Sequence, residues 1–357
     1  MLPIRTFVDC PCAEGFECHY SNGVITMKPL SLLNWFGGKF YLLDKILPFP
    51  KHSCYAELFG GGGSVLINKE RARMEVYNDI NHALVNFWRV FRDYYFLFKV
   101  GNFAMYNSKS IFSYLLEEKH PDIVPEPVAL MIDGLIHRGI ARPDAKEKIS
   151  EALRFWYLNQ LSFSGNNNDF HGVEDGFTGK FAVVIERKME NVPFRDILTS
   201  IFEQVKKSDL KAAATITNAV HERIKSVNFV SRDYKKLLRV LDKRGSLFYL
   251  DPPYVGVGKK YEKISENNVA WTDDSFVEMA SCLKDLKNAK FILSINDPSF
   301  FTDPSWNVEE IEAVSWFSNK LDKAIKKEYI VRNFDNKASP KMVGNASLFD
   351  FAVPVKV

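Results

Sequence analysis

The sequence predicts an α/β protein built around a largely parallel sheet, and three observations carry this prediction. Short apolar and aromatic runs end abruptly at an acidic residue or a turn, as buried parallel strands do. A glycine run separates one of these strands from the start of a helix. At 357 residues and 46% hydrophobic content, the chain is long enough for one large domain with an inserted lobe.

The first strand and helix are predicted on either side of a glycine turn. Cys54 to Phe59 is predicted to be a strand, and Val65 begins the helix. Gly60 to Gly63 form the turn, where glycines let the backbone approach a ligand and adopt positive φ. About twenty residues later, Asp79 ends a second short strand, a position that suits a carboxylate accepting hydrogen bonds from ribose hydroxyls.

Two other glycine-loop sites are excluded by their neighbours. A P-loop needs Ser or Thr after its Gly-Lys pair, whereas Lys39 is followed by Phe40 and Tyr41. A dinucleotide fold places a glycine where this chain has Val65. The turn therefore favours a ligand without a pyrophosphate.

A third strand, Ser246 to Leu250, ends at Asp251-Pro-Pro-Tyr254. Neither proline can donate to a strand ladder, so the strand stops at the carboxyl end, where open α/β sheets bind ligands. The corner offers a carboxylate, proline carbonyls and an aromatic ring. It could accept hydrogen bonds from an exocyclic amine while stacking on the ring that carries the amine. The alternative is a surface acid at an ordinary turn.

Together these stretches resemble the Dam-type DNA adenine-N6 methyltransferases (D12 class, alpha group), whose cofactor motif precedes the catalytic motif. The likeness runs in the family's order from about residue 28 to the C-terminus. The stretches that carry it are Asn34-Trp-Phe-Gly-Gly-Lys39, Glu57-Leu-Phe-Gly-Gly-Gly62, Asn78-Asp-Ile-Asn81, Asp251-Pro-Pro-Tyr254 and Phe291-Ile-Leu-Ser-Ile-Asn-Asp297.

The resemblance implies a fold and an activity. The fold is a Rossmann-like S-adenosylmethionine-dependent methyltransferase sheet with an inserted, mainly helical DNA-recognition lobe. We expect residues 1–27 to be an appendage, 28–93 with 226–357 the catalytic domain, and 94–225 the lobe. The activity is site-specific transfer of a methyl group from S-adenosylmethionine to the N6 amine of adenine in duplex DNA, on a base flipped out of the helix.

The resemblance also implies roles for individual residues. Asp79 would hold ribose hydroxyls, Glu57 the methionine ammonium, and Lys39 either the methionine carboxylate or a nearby acid. The alternative for Trp35 is a core aromatic, and for Asp233 a surface acid at a strand end. The implied catalytic residues are Asp251, Pro252 and Tyr254; the implied cofactor-binding residues are Trp35, Lys39, Glu57, Phe59, Gly60, Gly62, Asp79, Asp233 and Asp251.

The segment that meets DNA in this family departs from the family pattern here. Gln160 stands where the family has an arginine, so no particular recognition sequence is implied. Asn159, Gln160 and Asn166 are the candidate DNA-binding residues, because such amides read adenine in the major groove. The alternative is a polar loop bonded to its own backbone.

Charge, hydropathy and cysteine spacing limit the kinds of site that the chain can contain. The net charge of +3 is mild, so attraction to DNA requires a local patch, such as the basic residues between Arg232 and Arg244; a solvated helix face is the alternative. No apolar run reaches the length of a membrane span. The spacing of Cys10, Cys12, Cys18 and His19 is unlike that of structural zinc sites, so we expect no metal.

Cys54 and Cys282 lie in apolar contexts typical of the reduced thiols of an intracellular protein. With the resemblance, we expect a cytoplasmic protein that is bacterial or phage-encoded. It would act on double-stranded DNA as a monomer or weak dimer, and a cognate restriction endonuclease could accompany it. Three other functions stay open from the residues: methylation of cytosine N4, methylation of a protein amide nitrogen, and DNA binding with weak catalysis.

Overall fold

The computed structural model describes residues 18–21, 24–27, 30–35, 37–47, 49–95, 106–107, 109–117, 124, 126–162, 176–177, 214–254, 271–314 and 325–335. By its contacts the chain divides into two compact units. The first comprises Met1–Leu30, Gly38–Asn81 and Ser226–Val357; the second comprises Ser31–Gly37 and His82–Lys225. The helix that begins at His82 therefore groups with the second unit, whereas the sequence placed it in the catalytic domain. The functional division at 93/94 and 225/226 stays a prediction.

Strands and helices alternate through the first unit, and helices dominate the second. The strands are β1 (Cys18–Ser21), β2 (Val24–Met27), β3 (Cys54–Glu57), β4 (Met74–Asn78), β5 (Tyr106–Asn107), β6 (Gly176–Phe177), β7 (Val227–Val230), β8 (Ser246–Leu250), β9 (Lys290–Ile295), β10 (Asn307–Val314) and β11 (Ile325–Arg332). The helices are α1 (Leu43–Ile46), preceded by a 3₁₀ turn at Phe40–Leu42, α2 (Ser64–Asn68), α3 (His82–Asp93), α4 (Lys109–Glu117), α5 (Glu126–His137), α6 (Ala145–Leu161), α7 (Ala214–Ile224), α8 (Tyr234–Leu241) and α9 (Asp273–Lys284).

A seven-stranded sheet organises the first unit, in the order β10-β11-β9-β8-β3-β4-β7. The five strands from β9 to β7 run parallel, and β11 is antiparallel to both of its neighbours. The expected α/β class is confirmed. The apolar run of residues 291–295 predicts a strand and lies within β9, and residues 346–353, which also predict a strand, lie outside the described residues.

The central strands of the sheet are buried, and helices pack against them. β3 and β8 are buried along their whole length, as expected for parallel strands inside a sheet. On one face, Leu238 of α8 and Met279 of α9 pack with Ala56, Phe248 and Phe291 in a single apolar cluster. Burial of each leucine, methionine or phenylalanine side chain in this cluster contributes about 1.5–3 kcal/mol.

The strand order reverses beside β3. From β3 the sheet grows through β4 to β7, and then restarts on the other side with β8 and β9. In open α/β sheets, ligands bind outside the carboxyl ends of the strands at such a reversal. The glycine turn follows β3 and Asp251 follows β8, so both predicted motifs lie at this reversal.

In the second unit, α6 is the central helix and packs against α3, α4 and α5, while α7 packs against α3. The sequence of residues 145–161 predicts an amphipathic helix, which the structure confirms as α6. Aromatic side chains fill the contact between α3 and α6, where Phe87 lies against Phe155. Among the described helices, none is long and apolar enough to cross a membrane.

The cysteine-based expectations concern residues that the structure describes only in part. Within the described ranges, no group of three or more His, Cys, Asp or Glu residues is placed to hold a metal ion. Cys10 and Cys12 lie outside those ranges, and Cys18 and His19 belong to β1. Cys54 is a buried thiol and Cys282 a partly buried one.

Candidate active site

The carboxyl end of β8 brings a lysine and an aspartate together. Lys39 Nζ lies 2.7 Å from Asp251 Oδ2, and the lysine side chain is 4% exposed. The other oxygen, Asp251 Oδ1, is buried and accepts no hydrogen bond from the described residues. Burial raises the pKa of Asp251 to about 6, although the positive charge of Lys39 opposes the rise. Asp251 thus has one oxygen fixed and one available to a donor.

Tyr254 is fixed at both its ring and its hydroxyl. Lys39 Nζ lies 4.7 Å from the centre of the ring, in a cation–π arrangement. The hydroxyl donates to Glu328 Oε2 over 2.8 Å. Tyr41 donates to the other oxygen of the same carboxylate. Lys39, Asp251, Tyr254, Tyr41 and Glu328 therefore form one polar cluster, which we call the DPPY cluster.

The glycine turn after β3 packs closely on β4. A Cβ on Gly60 would lie 2.1 Å from the ring of Tyr77, so this position requires glycine. The positive φ angles of 48° and 70° occur at Gly61 and Gly63, whereas the sequence singled out Gly60 and Gly62. Gly62 is buried in the turn. The turn thus keeps backbone groups, without side chains, at the carboxyl end of β3.

Asp79, directly after β4, ties the turn to its strand. Its Oδ2 accepts from the Gly61 N–H and its Oδ1 from the Asn81 N–H, both at 2.9 Å. Burial raises the pKa of Asp79, and these backbone bonds oppose the rise. A carboxylate has about four lone-pair positions, and the backbone N–H groups of Gly61, Asn81 and Ile80 do not fill all of them.

Glu57 is a buried acid at the end of β3, with 2% of its surface exposed. The Tyr55 hydroxyl donates to its Oε2 over 3.0 Å. Burial raises the pKa of Glu57 to about 8, while the Tyr55 bond and the nearby Lys69 ammonium lower it. Lys69 is itself held by Glu75 at 2.6 Å. Glu57 is therefore mostly protonated at neutral pH unless a cation approaches.

An aromatic group lies next to the glycine turn. Phe59 contacts the rings of Tyr234 and Trp271, at centroid distances of 5.2 and 5.4 Å. The Tyr234 hydroxyl and the Trp271 indole nitrogen are buried without a hydrogen-bond partner among the described residues. Asp233 caps α8 by accepting from the Lys235 N–H over 2.9 Å. Its cap role supplies a structural reason for this acid.

Trp35 and Asn159, two of the predicted site residues, belong to the second unit, and Asn34 links them. Asn159 is fully buried, and its amide exchanges two hydrogen bonds with the Asn34 backbone, at 2.7 and 3.0 Å. This bidentate contact anchors the segment that carries Trp35, which is partly exposed. Asn159 therefore has a structural role here, because both amide atoms are used within the protein. The expectation that it reads DNA is corrected accordingly.

The remaining candidate DNA-binding residues are less fully described. Gln160 lies in the last turn of α6, and Asn166 lies outside the described residues. In the basic stretch, Lys235 pairs with Glu278 at 2.9 Å, which favours an ordinary surface ion pair at that position.

Sequence reasoning missed Glu328, Tyr41 and Tyr55. Glu328 lies on β11 within a mixed charged and apolar run that contains no motif. At Tyr41 the sequence shows only that the Gly-Lys pair is not part of a P-loop. Tyr55 is two positions before Glu57, so the period of a strand places both side chains on the same face.

The donor set fits S-adenosylmethionine. The buried carboxyl of Glu57 can accept from an ammonium and the partly buried carboxyl of Asp79 from ribose hydroxyls, and the glycine turn provides close backbone approach. The aromatic group around Phe59 provides an apolar wall for a flat ring. These residues lie at the carboxyl ends of β3, β4 and β7, which is one edge of the sheet.

The chain is similar in sequence to known DNA methyltransferases. Over 321 residues the chain is 24% identical to the type II methyltransferase M1.LlaDCHI of Lactococcus lactis subsp. cremoris, covering 87% of this chain and 97% of that protein. It is 24% identical over 284 residues to the DNA adenine methylase of Haemophilus influenzae, covering 77% of this chain and 82% of that protein. A 64-residue stretch, 17% of this chain and 10% of the relative, is 41% identical to the modification methylase StsI of Streptococcus sanguinis.

The family match spans most of the chain. Residues 35–168 and 179–330 match the D12 class N6 adenine-specific DNA methyltransferases, and they include the glycine turn, Asp79 and the whole DPPY cluster. Enzymes of this family take the methyl group from S-adenosylmethionine, which confirms the expected cofactor. The chain therefore belongs to the D12 class of N6 adenine-specific DNA methyltransferases.

Proposed function

We propose that Asp251 Oδ1 accepts the hydrogen bond from the N6 amine of the target adenine. The observation that carries this proposal is the asymmetry of the carboxylate: Oδ2 is held by Lys39 at 2.7 Å, while Oδ1 is buried without a partner among the described residues. Leaving a buried acceptor unpaired costs about 1–3 kcal/mol, so such an atom indicates a partner that arrives with the substrate.

The chemistry needs such an acceptor because the lone pair of N6 is delocalised into the adenine ring. Hydrogen bonds from the amine to Asp251 and to the carbonyl of Pro252 draw the nitrogen towards tetrahedral geometry and localise the pair. The cofactor, when bound, supplies an activated methyl group on its sulfonium. The protein contributes position and a preorganised charge, and these need no covalent intermediate on a side chain.

Tyr254 stacks on the flipped adenine in this proposal. Lys39 Nζ lies over one face of the ring, so the base uses the opposite face. Stacking on an aromatic side chain is worth about 1–3 kcal/mol per base, which offsets part of the cost of extrusion from the duplex.

The cofactor contacts are proposed from the same edge of the sheet. Glu57 binds the methionine ammonium, because burial raises the pKa of this carboxyl and a cation beside it stabilises the ionised form. Asp79 uses its remaining acceptor capacity for the ribose hydroxyls. Lys39 takes the second of its two expected roles, since it holds Asp251. The backbone of Gly60 and Gly62 lines the approach, while Phe59 and Asp233 border the bound molecule; Trp35 keeps the cofactor-binding role that the family resemblance implies.

Recognition of DNA is assigned to the second unit. We propose Gln160 and Asn166, but not Asn159, as the DNA-contacting residues, with double-stranded DNA as substrate. Action as a monomer or weak dimer, a cytoplasmic location in a bacterium or phage-infected cell, and a companion endonuclease belong to this proposal. Family membership favours adenine N6 over cytosine N4, over a protein amide and over weak catalysis.

The test is single-turnover methylation of a duplex that contains the recognised site, with the product base identified by mass spectrometry. Asp251→Asn keeps the shape but replaces the charged acceptor, so the rate should fall by ~10²–10³. Asp285→Asn, an exposed acid at the end of α9, is the matched control and should leave the rate unchanged. Full activity of Asp251→Asn, or a product other than N6-methyladenine, would refute the proposal.

A further inference from the structure

Glu328 is a buried carboxylate at the substrate edge of the sheet, although no loop carries it. It lies on β11, opposite Ile311 of β10, one residue before Tyr329, which pairs with Ile295 at the end of β9. Because β11 runs antiparallel to β9, a position early in β11 lies at the carboxyl end of β9. Only 5% of the surface of Glu328 is exposed. The strand ladder therefore fixes its backbone.

Both oxygens of Glu328 are used by tyrosines. Oε2 accepts from Tyr254 over 2.8 Å, and Oε1 accepts from Tyr41. Hydrogen bonds to a charged acceptor are about twice as strong as neutral ones and strongly directional. The hydroxyl of Tyr254 is thus tied to the sheet, and its ring turns about an axis fixed at both ends.

A purely structural role accounts poorly for an acid at this position. Burying a carboxylate carries a desolvation cost, and apolar residues of similar volume are often at least as stabilising. What the carboxylate adds is orientation, because an apolar side chain would leave the hydroxyl of Tyr254 unpaired. The residue that this carboxylate orients is Tyr254, on whose ring the target base is proposed to stack.

We infer that Glu328 is a positioning residue for methyl transfer: it holds the hydroxyl end of Tyr254, which fixes the position and axis of the ring, and it is itself held in place by Tyr41. This inference rests on the proposed stacking of the target base on Tyr254. It assigns a function to a residue of β11, which lies outside both the glycine turn and the Asp-Pro-Pro-Tyr segment.

The main variant is Glu328→Gln, which keeps the volume and removes the charged acceptor. We expect the single-turnover rate to fall about tenfold to a hundredfold, the range that loss of one charged hydrogen bond produces. Cofactor affinity, measured by calorimetry, should stay within about twofold. Glu310→Gln is the matched control: Glu310 also accepts from a phenol, Tyr329, over 3.0 Å, but it is exposed.

A double-mutant cycle separates orientation from general damage. Tyr254→Phe keeps the ring and removes the hydroxyl that reaches Glu328. If Glu328 acts through that hydroxyl, Glu328→Gln should cost less than threefold more in the Tyr254→Phe background, since interacting groups are non-additive. Multiplication of the two losses would overturn the inference, as would full activity of Glu328→Gln. A duplex with 2-aminopurine at the target position should show the same pattern in its base-flipping fluorescence.

Two further variants keep the outcomes distinct. If Glu328→Gln fails to fold, Tyr41→Phe tests the same carboxylate without removing it, and an unchanged rate would overturn the inference. Tyr254→Ala tests the underlying stacking. If that variant retains full activity, the stacking role in the proposed function fails. If it loses activity while Glu328→Gln and Tyr41→Phe do not, only the positioning role of Glu328 fails.

Discussion

Lys39 and Asp251 lie 212 residues apart in the chain, and the lysine Nζ approaches the aspartate Oδ2 to 2.7 Å. Both side chains are largely removed from water, with 4% and 18% of their surfaces exposed. The pair is therefore only weakly screened. The lysine partly offsets the burial that raises the pKa of Asp251, so it helps determine the pH range in which the acid is ionised.

Activity should depend on the ionisation of Asp251. Its pKa is about 6, and only the carboxylate form is an acceptor at both oxygens. The single-turnover rate should rise with pH through about 6 and then level off. Lys39→Gln removes the charge that lowers this pKa, so the midpoint should move to higher pH. Rates measured between pH 5 and 9, with cofactor saturating, check the shift.

The control for that profile is Lys45→Gln, which removes an exposed lysine of α1 that pairs with Asp44. Its pH midpoint should equal that of the parent enzyme. An unshifted midpoint in Lys39→Gln would mean that another group governs the pH dependence.

Cofactor binding should release a proton from Glu57. With a pKa of about 8, this acid is mostly protonated at neutral pH, and an approaching ammonium favours its ionised form. Up to one proton should therefore leave per cofactor bound. Calorimetry in two buffers with different ionisation enthalpies measures the number. In Glu57→Gln the release should vanish; release that persists would assign it to another group.

Asp79→Ala should have two separable effects. Loss of charged hydrogen bonds to the ribose should weaken cofactor binding by about 1.5–3 kcal/mol. The N–H groups of Gly61 and Asn81 also lose their acceptor, so the free energy of unfolding should fall by about 1–3 kcal/mol. Calorimetry and urea unfolding measure the two effects. Unchanged cofactor affinity in a folded variant would remove Asp79 from the binding site.

Gly60→Ala should destabilise the protein. The added Cβ would lie within 2.6 Å of three atoms of the Tyr77 ring, which the Tyr77–Gly61 hydrogen bond holds in place. We expect a loss of about 1–3 kcal/mol from overpacking. Gly134→Ala, in α5 with nothing within 4 Å of the new Cβ, should be neutral or gain about 0.5–1 kcal/mol. Urea unfolding compares them, and equal stability of the two variants would contradict the prediction.

Local sequence predicted the parts of the site that local structure creates. The glycine turn, Asp79 and Asp251 each terminate a strand, and a strand ending in glycine, acid or proline is visible in the sequence. Parallel pairing of β3 with β4 and with β8 then brings them to one edge. A local signal was also available for Asp233, because an acid before a helix is a common cap.

The rest depended on contacts between distant positions. Glu328 meets Tyr254 across 74 residues, and only the reversed direction of β11 brings it to the active edge. Asn159 meets Asn34 across 125 residues, and a buried amide that binds backbone looks in sequence like one that reads a base. Neither relation leaves a pattern in its own neighbourhood, so a single sequence cannot reveal it.

The burial of Asp251 serves the proposed reaction but lowers the stability of the fold. With its pKa at about 6 instead of 3.8, the ionised acid lowers the stability of the fold by about 3 kcal/mol above pH 6. That deficit grows as pH rises from the unfolded-state value through about 6, because the folded state binds the proton more tightly. Replacing Lys39 and Asp251 together by apolar residues should remove it. The pair therefore lowers the stability of the fold, and its value lies in the proposed reaction.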